Sequence, residues 1–161
     1  MEKRQIKVNG KTEEVSLLGF GCMRFPMKDG EIDKELSRKM IHLAMENGVN
    51  YLDTAYPYHD GKSELFVREV IKDLDRERFF LADKLPIWDC KNKDDVERIF
   101  NEQLEKCGVD YFDFYLIHAV NKNRINQIKE LDVLQTLEKF RNEGKIRNLG
   151  FSFHDDLDEI G

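Results

Sequence analysis

Three side chains that seldom sit inside strands interrupt apolar runs in this chain: Asp53 in YLDTA, Lys84 in FFLADKL and His118 in FYLIH. Successive interruptions are separated by about 30 residues, the length of one β/α unit. Alternation along a strand puts Asp53 with Tyr51 and Ala55, Lys84 with Ala82 and Phe80, and His118 with Leu116 and Phe114, so all three are able to point to one side. Burying a lone Lys or Asp costs several kcal/mol, and Asp53 and Lys84 on adjacent strands would each supply the other's partner. A carboxylate, an ammonium and an imidazole at one end of neighbouring strands are groups that hold and move protons. Any one of them alone reads more simply as a strand-end or ion-pair feature; their coordination favours a site. Tyr58 follows Asp53 in the next loop. A loop tyrosine is usually an amphipathic surface aromatic, and its interest lies only in its closeness to the other three.

The elements that would position these groups alternate between strand and helix. Arg4–Val8 and Glu13–Leu17 flank Asn9-Gly10, a strong hairpin signal. The spacing then predicts a strand over 18–24, a helix near 34–47 with Leu36, Met40, Leu43 and Ala44 inward, and a strand over 51–55. Ser63 is expected to cap a helix whose stripe is Phe66, Val67, Val70 and Ile71. A strand over 79–85 follows. Asn92 opens the next helix, with Val96, Ile99, Phe100, Leu104 and Cys107 inward and Gly108 as its end. Strands over 111–118 and 146–153 enclose a helix at 131–142, and DDLDEIG reads as the start of one more. ENGVNYLD and KCGVDYFD repeat one pattern two units apart, a glycine-ended helix feeding a strand. FFLA and FDFYLI are nearly continuous apolar runs, as strands covered on both faces require.

Right-handed crossovers make this a parallel α/β sheet, either barrel or doubly wound. Neither a Gly-rich dinucleotide fingerprint nor a phosphate loop follows any strand, so a barrel is the better reading. The expected architecture is a (β/α)₈ TIM-barrel type of about five units, a hairpin at 4–17 and β/α units over 18–161, which cannot close a barrel. Active sites of such barrels lie at the C-terminal ends of the strands, where the three interruptions fall.

The chain has 161 residues, 36% of them charged, and a net charge of −6 without a basic run. That gives little support to nucleic-acid or anionic-membrane binding. No apolar stretch reaches the roughly 20 residues needed to cross a bilayer, and MEKRQIKVNG lacks the core of a signal peptide. Cys22, Cys90 and Cys107 stand too far apart for a disulfide framework or a metal site. A cytoplasmic protein is expected.

Five segments, GFGCMRFP, GVNYLDTAYPYHDGKSE, LADKLP, DYFDFYLIH and GKIRNLGFSFH, resemble in order and spacing the signature segments of aldo-keto reductases. The wording is most similar to a bacterial and archaeal branch whose longer members carry a C-terminal ferredoxin-like iron–sulfur domain, which is not in these residues. The resemblance implies reduction of aldehydes or ketones with NADP(H), NAD(H) in some members, and no metal in this segment. It places Tyr58 as the proton donor, with Asp53, Lys84 and His118 completing the set. It also implies cofactor contacts from Gly21, Cys22, Met23, Asp53, Ser152 and His154. A phenol, with a pKa near 10, is a poor acid at neutral pH. An adjacent Lys84 ammonium would stabilise the phenolate, and a neutral His118 would orient the substrate oxygen.

Asp83 departs from the small residue usual before the lysine, and strand alternation turns it outward, where it is expected to be harmless. The family's last three units supply much of its cofactor grip and lie outside this sequence. An alternative reading is therefore a catalytically silent unit that associates through the open edges of its first and fifth strands. Trp88 is expected to pack a strand-end loop or line a pocket, His59 and His42 to be exposed, and Cys22 to be a small core residue.

Overall fold

The computed structural model describes residues 1–8 and 10–155. β1 (Lys3–Val8) and β2 (Lys11–Ser16) form an antiparallel hairpin. It is bolted to the first long unit by Asn50, whose side chain accepts from Ser16 N (2.8 Å) and donates to Glu14 O (2.8 Å). β3 (Phe20–Gly21) is the whole of the expected 18–24 strand. A second small hairpin follows, β4 (Met27–Lys28) with β5 (Glu31–Ile32). Its turn is Asp29-Gly30, both at positive φ (52° and 80°), the geometry that Asp-Gly favours between antiparallel strands. The chain continues with α1 (Lys34–Glu46), β6 (Tyr51–Asp53), α2 (Ser63–Ile71), β7 (Phe80–Leu85), α3 (Lys93–Cys107) and β8 (Phe112–Val120). It ends with α4 (Lys122–Glu130), α5 (Val133–Asn142) and β9 (Ile146–Phe153). The helix expected to start in DDLDEIG lies, Asp155 apart, outside the described residues.

The five strands β3-β6-β7-β8-β9 form one sheet in that order, every neighbouring pair parallel. Edge strands are β3 and β9. The core lies between this sheet and the helices, with Leu81, Tyr115 and Ile117 from the strands meeting Phe66, Phe100 and Phe140 from α2, α3 and α5. Phe100 and Phe140 stack at 4.4 Å. α3 begins with the capping box of Asn92 and Asp95, and ends on Gly108 at φ +66°, both as the sequence predicts. Its buried face also carries Gln103, spaced with Ile99 and Cys107.

Two expectations are corrected. α1 buries Ser37 and Ile41, while Leu36, Met40 and Leu43 are exposed. Both stripes have helical spacing, and the small Ser37 lets the helix approach the sheet on the face one residue further round. Ser63 does not cap α2; it is the first helical residue, fully buried, and its hydroxyl serves the site described below. The helix expected at 131–142 is α5, which begins after Asp132 takes a left-handed conformation (φ 49°); α4 before it is a further helix that the spacing does not predict. Among the described residues no helix is long and apolar enough to cross a membrane.

Candidate active site

Asp53, Lys84 and His118 project from the inner face of the sheet, opposite the helices. Gly21 is in register with Asp53, Asp53 with Ala82, and Lys84 with Leu116. Each polar residue is thus two positions further along its strand than the one before, the stagger by which tilted strands bring residues to one height.

Lys84 is 5% exposed and uses all three ammonium protons. Its Nζ lies 2.6 Å from Asp53 Oδ1, 2.8 Å from the Thr54 carbonyl and 3.4 Å from the Tyr58 hydroxyl. The pairing offsets the cost of burying the charge, and the third contact aims it at the phenol. Tyr58 is placed by a tight loop: its N–H donates to Ala55 O (3.1 Å), and its carbonyl accepts from Gly61 N and Ser63 N (3.2 Å each). His59, Asp60 and Gly61 all take positive φ (52°, 54° and 82°). Two consecutive non-glycine residues in that region cost about 1 kcal/mol or more each and persist only where their surroundings hold them. His59 supplies part of that hold. It is half-buried rather than exposed, stacks on Phe25 at 5.5 Å, and its Nε2 accepts from Phe25 N (3.0 Å). His42 is half-buried as well.

His118 stands where β8 breaks register; Ala119 beside it takes φ 51°. A bulge of this kind re-aims a side chain at the end of a strand. The Ala119 N–H donates to Ser152 Oγ (2.7 Å), which ties β9 to the bulge. The imidazole meets Tyr58 edge to face (6.1 Å between centroids, 84°) and Trp88 at 5.1 Å. Its Nδ1 is buried and has no partner among the described residues, which leaves Nε2 to face the site. Burial first, then the Lys84, His154 and Arg124 charges, lower the His118 pKa to about 4, so the ring is neutral at pH 7.

The six residues expected at a cofactor divide. Gly21 is open: a Cβ there would meet nothing within 4 Å. Met23 is exposed, Asp53 keeps 29% of its side chain accessible, and Ser152 still has its hydroxyl proton to give. His154 is exposed and near enough to bias His118. Cys22 stands apart from these five. Its side chain is wholly buried, its N–H donates to Asp53 O (2.8 Å), and its carbonyl accepts from Ser63 Oγ (2.9 Å). Both backbone groups are spent within the protein, so Cys22 shapes the loop and offers no donor to a ligand. The rest of this set suits a nicotinamide dinucleotide. Among the described residues no His, Cys, Asp and Glu cluster could hold a metal.

Asp83 points away from the site, as alternation requires, but it is fully buried in a polar network. Gln103 Nε2 lies 2.9 Å from Asp83 Oδ1 and 2.9 Å from Glu64 Oε1, and Gln103 Oε1 accepts from the Tyr115 hydroxyl. Lys106 Nζ stands 3.1 Å from Glu64 Oε2. Burial, and then Glu64, hold the Asp83 carboxyl well above the usual carboxylate range. This network backs the strand that carries Lys84, since Asp83 Oδ1 accepts from Lys84 N (2.8 Å) and Gln103 donates to Lys84 O (3.1 Å). Sequence reasoning missed it, although Gln103 on the apolar spacing of α3 was a signal. It also missed Arg124, discussed below.

Residues 17–160 match the profile of the Aldo/keto reductase family. Among curated proteins, the NADH-specific methylglyoxal reductase of Escherichia coli (strain K12) is 29% identical over 84% of this chain and 48% of its own. Among solved structures, the holo form of aldo-keto reductase AKR11C1 from Bacillus halodurans is 27% identical, with a TM-score of 0.75 over 94% of this chain and 51% of that one. An aldo-keto reductase from Klebsiella pneumoniae, in complex with NADPH, is 25% identical with a TM-score of 0.76, over 99% of this chain and 52% of that one. The chain spans about half the length of the curated relatives it matches.

Proposed function

The chain belongs to the aldo/keto reductase family, its parallel sheet and helices forming about half of that family's barrel, and on that premise we propose that the protein reduces small aldehydes or ketones to alcohols with NADP(H), Tyr58 giving the proton. The observation that carries this reading is the Lys84 ammonium, shared among Asp53, the Thr54 carbonyl and the Tyr58 hydroxyl. A nicotinamide, when bound, would supply the hydride, and the open backbone at Gly21, the Met23 loop, the Asp53 carboxylate, the Ser152 hydroxyl and His154 are the groups that would hold it.

As the carbonyl carbon is reduced, negative charge grows on its oxygen, and a proton must arrive there. Tyr58 delivers it. The phenolate left behind is stabilised by Lys84 at 3.4 Å, and Asp53 keeps that ammonium from swinging away. His118 is neutral, so its Nε2 hydrogen-bonds the substrate oxygen without adding a cation beside Lys84. Trp88 and Tyr58 flank His118 and restrict how a carbonyl approaches it.

The test is NADPH oxidation, followed by its absorbance, with methylglyoxal and 4-nitrobenzaldehyde, and NADH as a parallel arm. Tyr58→Phe should lower turnover by about 10²–10⁴-fold, the scale of a positioned acid, while NADPH fluorescence titration shows unchanged affinity. Full turnover in Tyr58→Phe would mean that another group gives the proton. Absence of any NADPH binding by the wild-type protein would favour a silent unit instead.

A further inference from the structure

The first turn of α4 carries Arg124, whose side chain reaches back to the bulge at His118. Its Nη1 donates to the carbonyl of Ala119, and its guanidinium carbon lies 4.8 Å from the centroid of Trp88, the aromatic that stands 5.1 Å from His118. These contacts fix the guanidinium at the rim of the site. Ala119 is a firm anchor, held in its left-handed conformation with its own N–H on Ser152. Among the described residues Arg124 pairs with no carboxylate, although the chain carries 32 acidic residues against 26 basic ones. Other half-buried arginines here are neutralised: Arg76 and Arg147 both pair with Asp113.

A guanidinium has five N–H donors in a planar fork. One serves Ala119, and Trp88 occupies a face rather than the edge. The remaining donors are left to a ligand, and the fork matches a carboxylate in bidentate fashion. The aromatic backing limits the side-chain entropy lost on binding and screens one side from water.

We propose that Arg124, backed by Trp88, binds the carboxylate of an anionic carbonyl substrate, an oxo acid or carboxylate-bearing aldehyde, whose carbonyl is thereby presented to His118 and Tyr58. The proposal rests on carbonyl reduction as the activity and narrows it to a substrate class. Arg124 is in this reading a specificity-determining residue.

Trp88 is the only tryptophan in the chain, so its fluorescence reports on this place alone. Succinate, succinamide and pyrophosphate are titrated separately into the protein at constant ionic strength. Succinate should change the emission saturably and succinamide should not. Arg124→Met should raise the succinate midpoint by about 10- to 100-fold, the value of a hydrogen-bonded charge, and Arg124→Lys should recover part of it. In turnover, the preference for 4-carboxybenzaldehyde over its methyl ester should fall toward unity in Arg124→Met. Equal responses to succinate and succinamide, or an unmoved midpoint in Arg124→Met, would overturn the proposal. A response to pyrophosphate alone would do so as well, by assigning the guanidinium to the cofactor's phosphates. If neither aldehyde is reduced, carbonyl reduction fails as the activity while the succinate titration still decides the anion subsite.

Discussion

Replacing Asp83 by asparagine should flatten the dependence of stability on pH above the ordinary carboxylate range. Asp83 and Glu64 are both fully buried, joined through one Gln103 amide, with a single ammonium, Lys106, on the Glu64 side. Two carboxylates so placed cannot both ionise without a large desolvation cost, and the raised Asp83 group keeps the proton. Unfolding releases Asp83 to water, where it ionises near its ordinary value of about 3.9. Above that value the folded state holds one more proton than the unfolded chain, so stability falls as pH rises. The slope is about 1.4 kcal/mol per pH unit for as long as the pair keeps its proton. For a chain of this size that is about 3–5 °C in Tm per pH unit. The loss ends when pH passes the raised folded value, and below the unfolded value the full contribution is present. In Asp83→Asn the amide oxygen would still accept from Lys84 N and Gln103, and the amide nitrogen would donate to Glu64, so at the acid end the variant should lie within about 1 kcal/mol of wild type. Urea unfolding by circular dichroism at pH 5.5, 6.5 and 7.5, at fixed ionic strength, measures both slopes. Keeping below pH 8 avoids thiol ionisation in the unfolded state. Parallel slopes in wild type and Asp83→Asn would refute the shared proton.

Other expected outcomes follow from the same geometry. Asp113 is 1% exposed on its side chain and accepts from Arg76, Arg147 and Leu81 N, so Asp113→Ala should cost about 3–5 kcal/mol in urea unfolding, and Asp113→Asn less. His118 should stay neutral as pH falls from 7, and its ring signals in heteronuclear NMR should move only near pH 4. Because that value lies below the unfolded one, the histidine leaves stability untouched above about pH 6.5 and lowers it between there and about 4; removing the Arg124 charge should shift its titration upward. Gly108→Ala should destabilise by about 1 kcal/mol, since φ is +66° and the new Cβ would meet the Arg68 side chain at 2.9 Å.

Much of this was legible from residues alone. Gly108 and Asn92 announced the ends of α3, and 146–153 was readable as β9, because local chemistry decides those features. Asp53, Lys84 and His118 stood out because polar groups in apolar strands demand a reason. What was not legible depends on tertiary partners. α4 has a polar sequence whose only apolar spacing is Ile125 and Ile128, too weak to announce a helix before its packing is known. Ser63 has the residue type and position of a cap, yet its hydroxyl goes to Cys22 O and Thr54 Oγ1 instead. α1 offered two apolar stripes, and only the sheet chose between them. Asp83 was correctly placed outward, but outward here means sealed beneath α2 and α3, a consequence no strand pattern contains.

The central proposition is that Tyr58 and Lys84 work as one proton-delivering unit rather than as separate contributors. A double-mutant cycle of Tyr58→Phe and Lys84→Met on kcat/KM for carbonyl reduction tests it most directly, with NADPH affinity measured for all four proteins. The expected result is strong non-additivity, the double variant losing scarcely more than Tyr58→Phe alone. Losses that simply multiply, or a Lys84→Met variant with full activity, would contradict it.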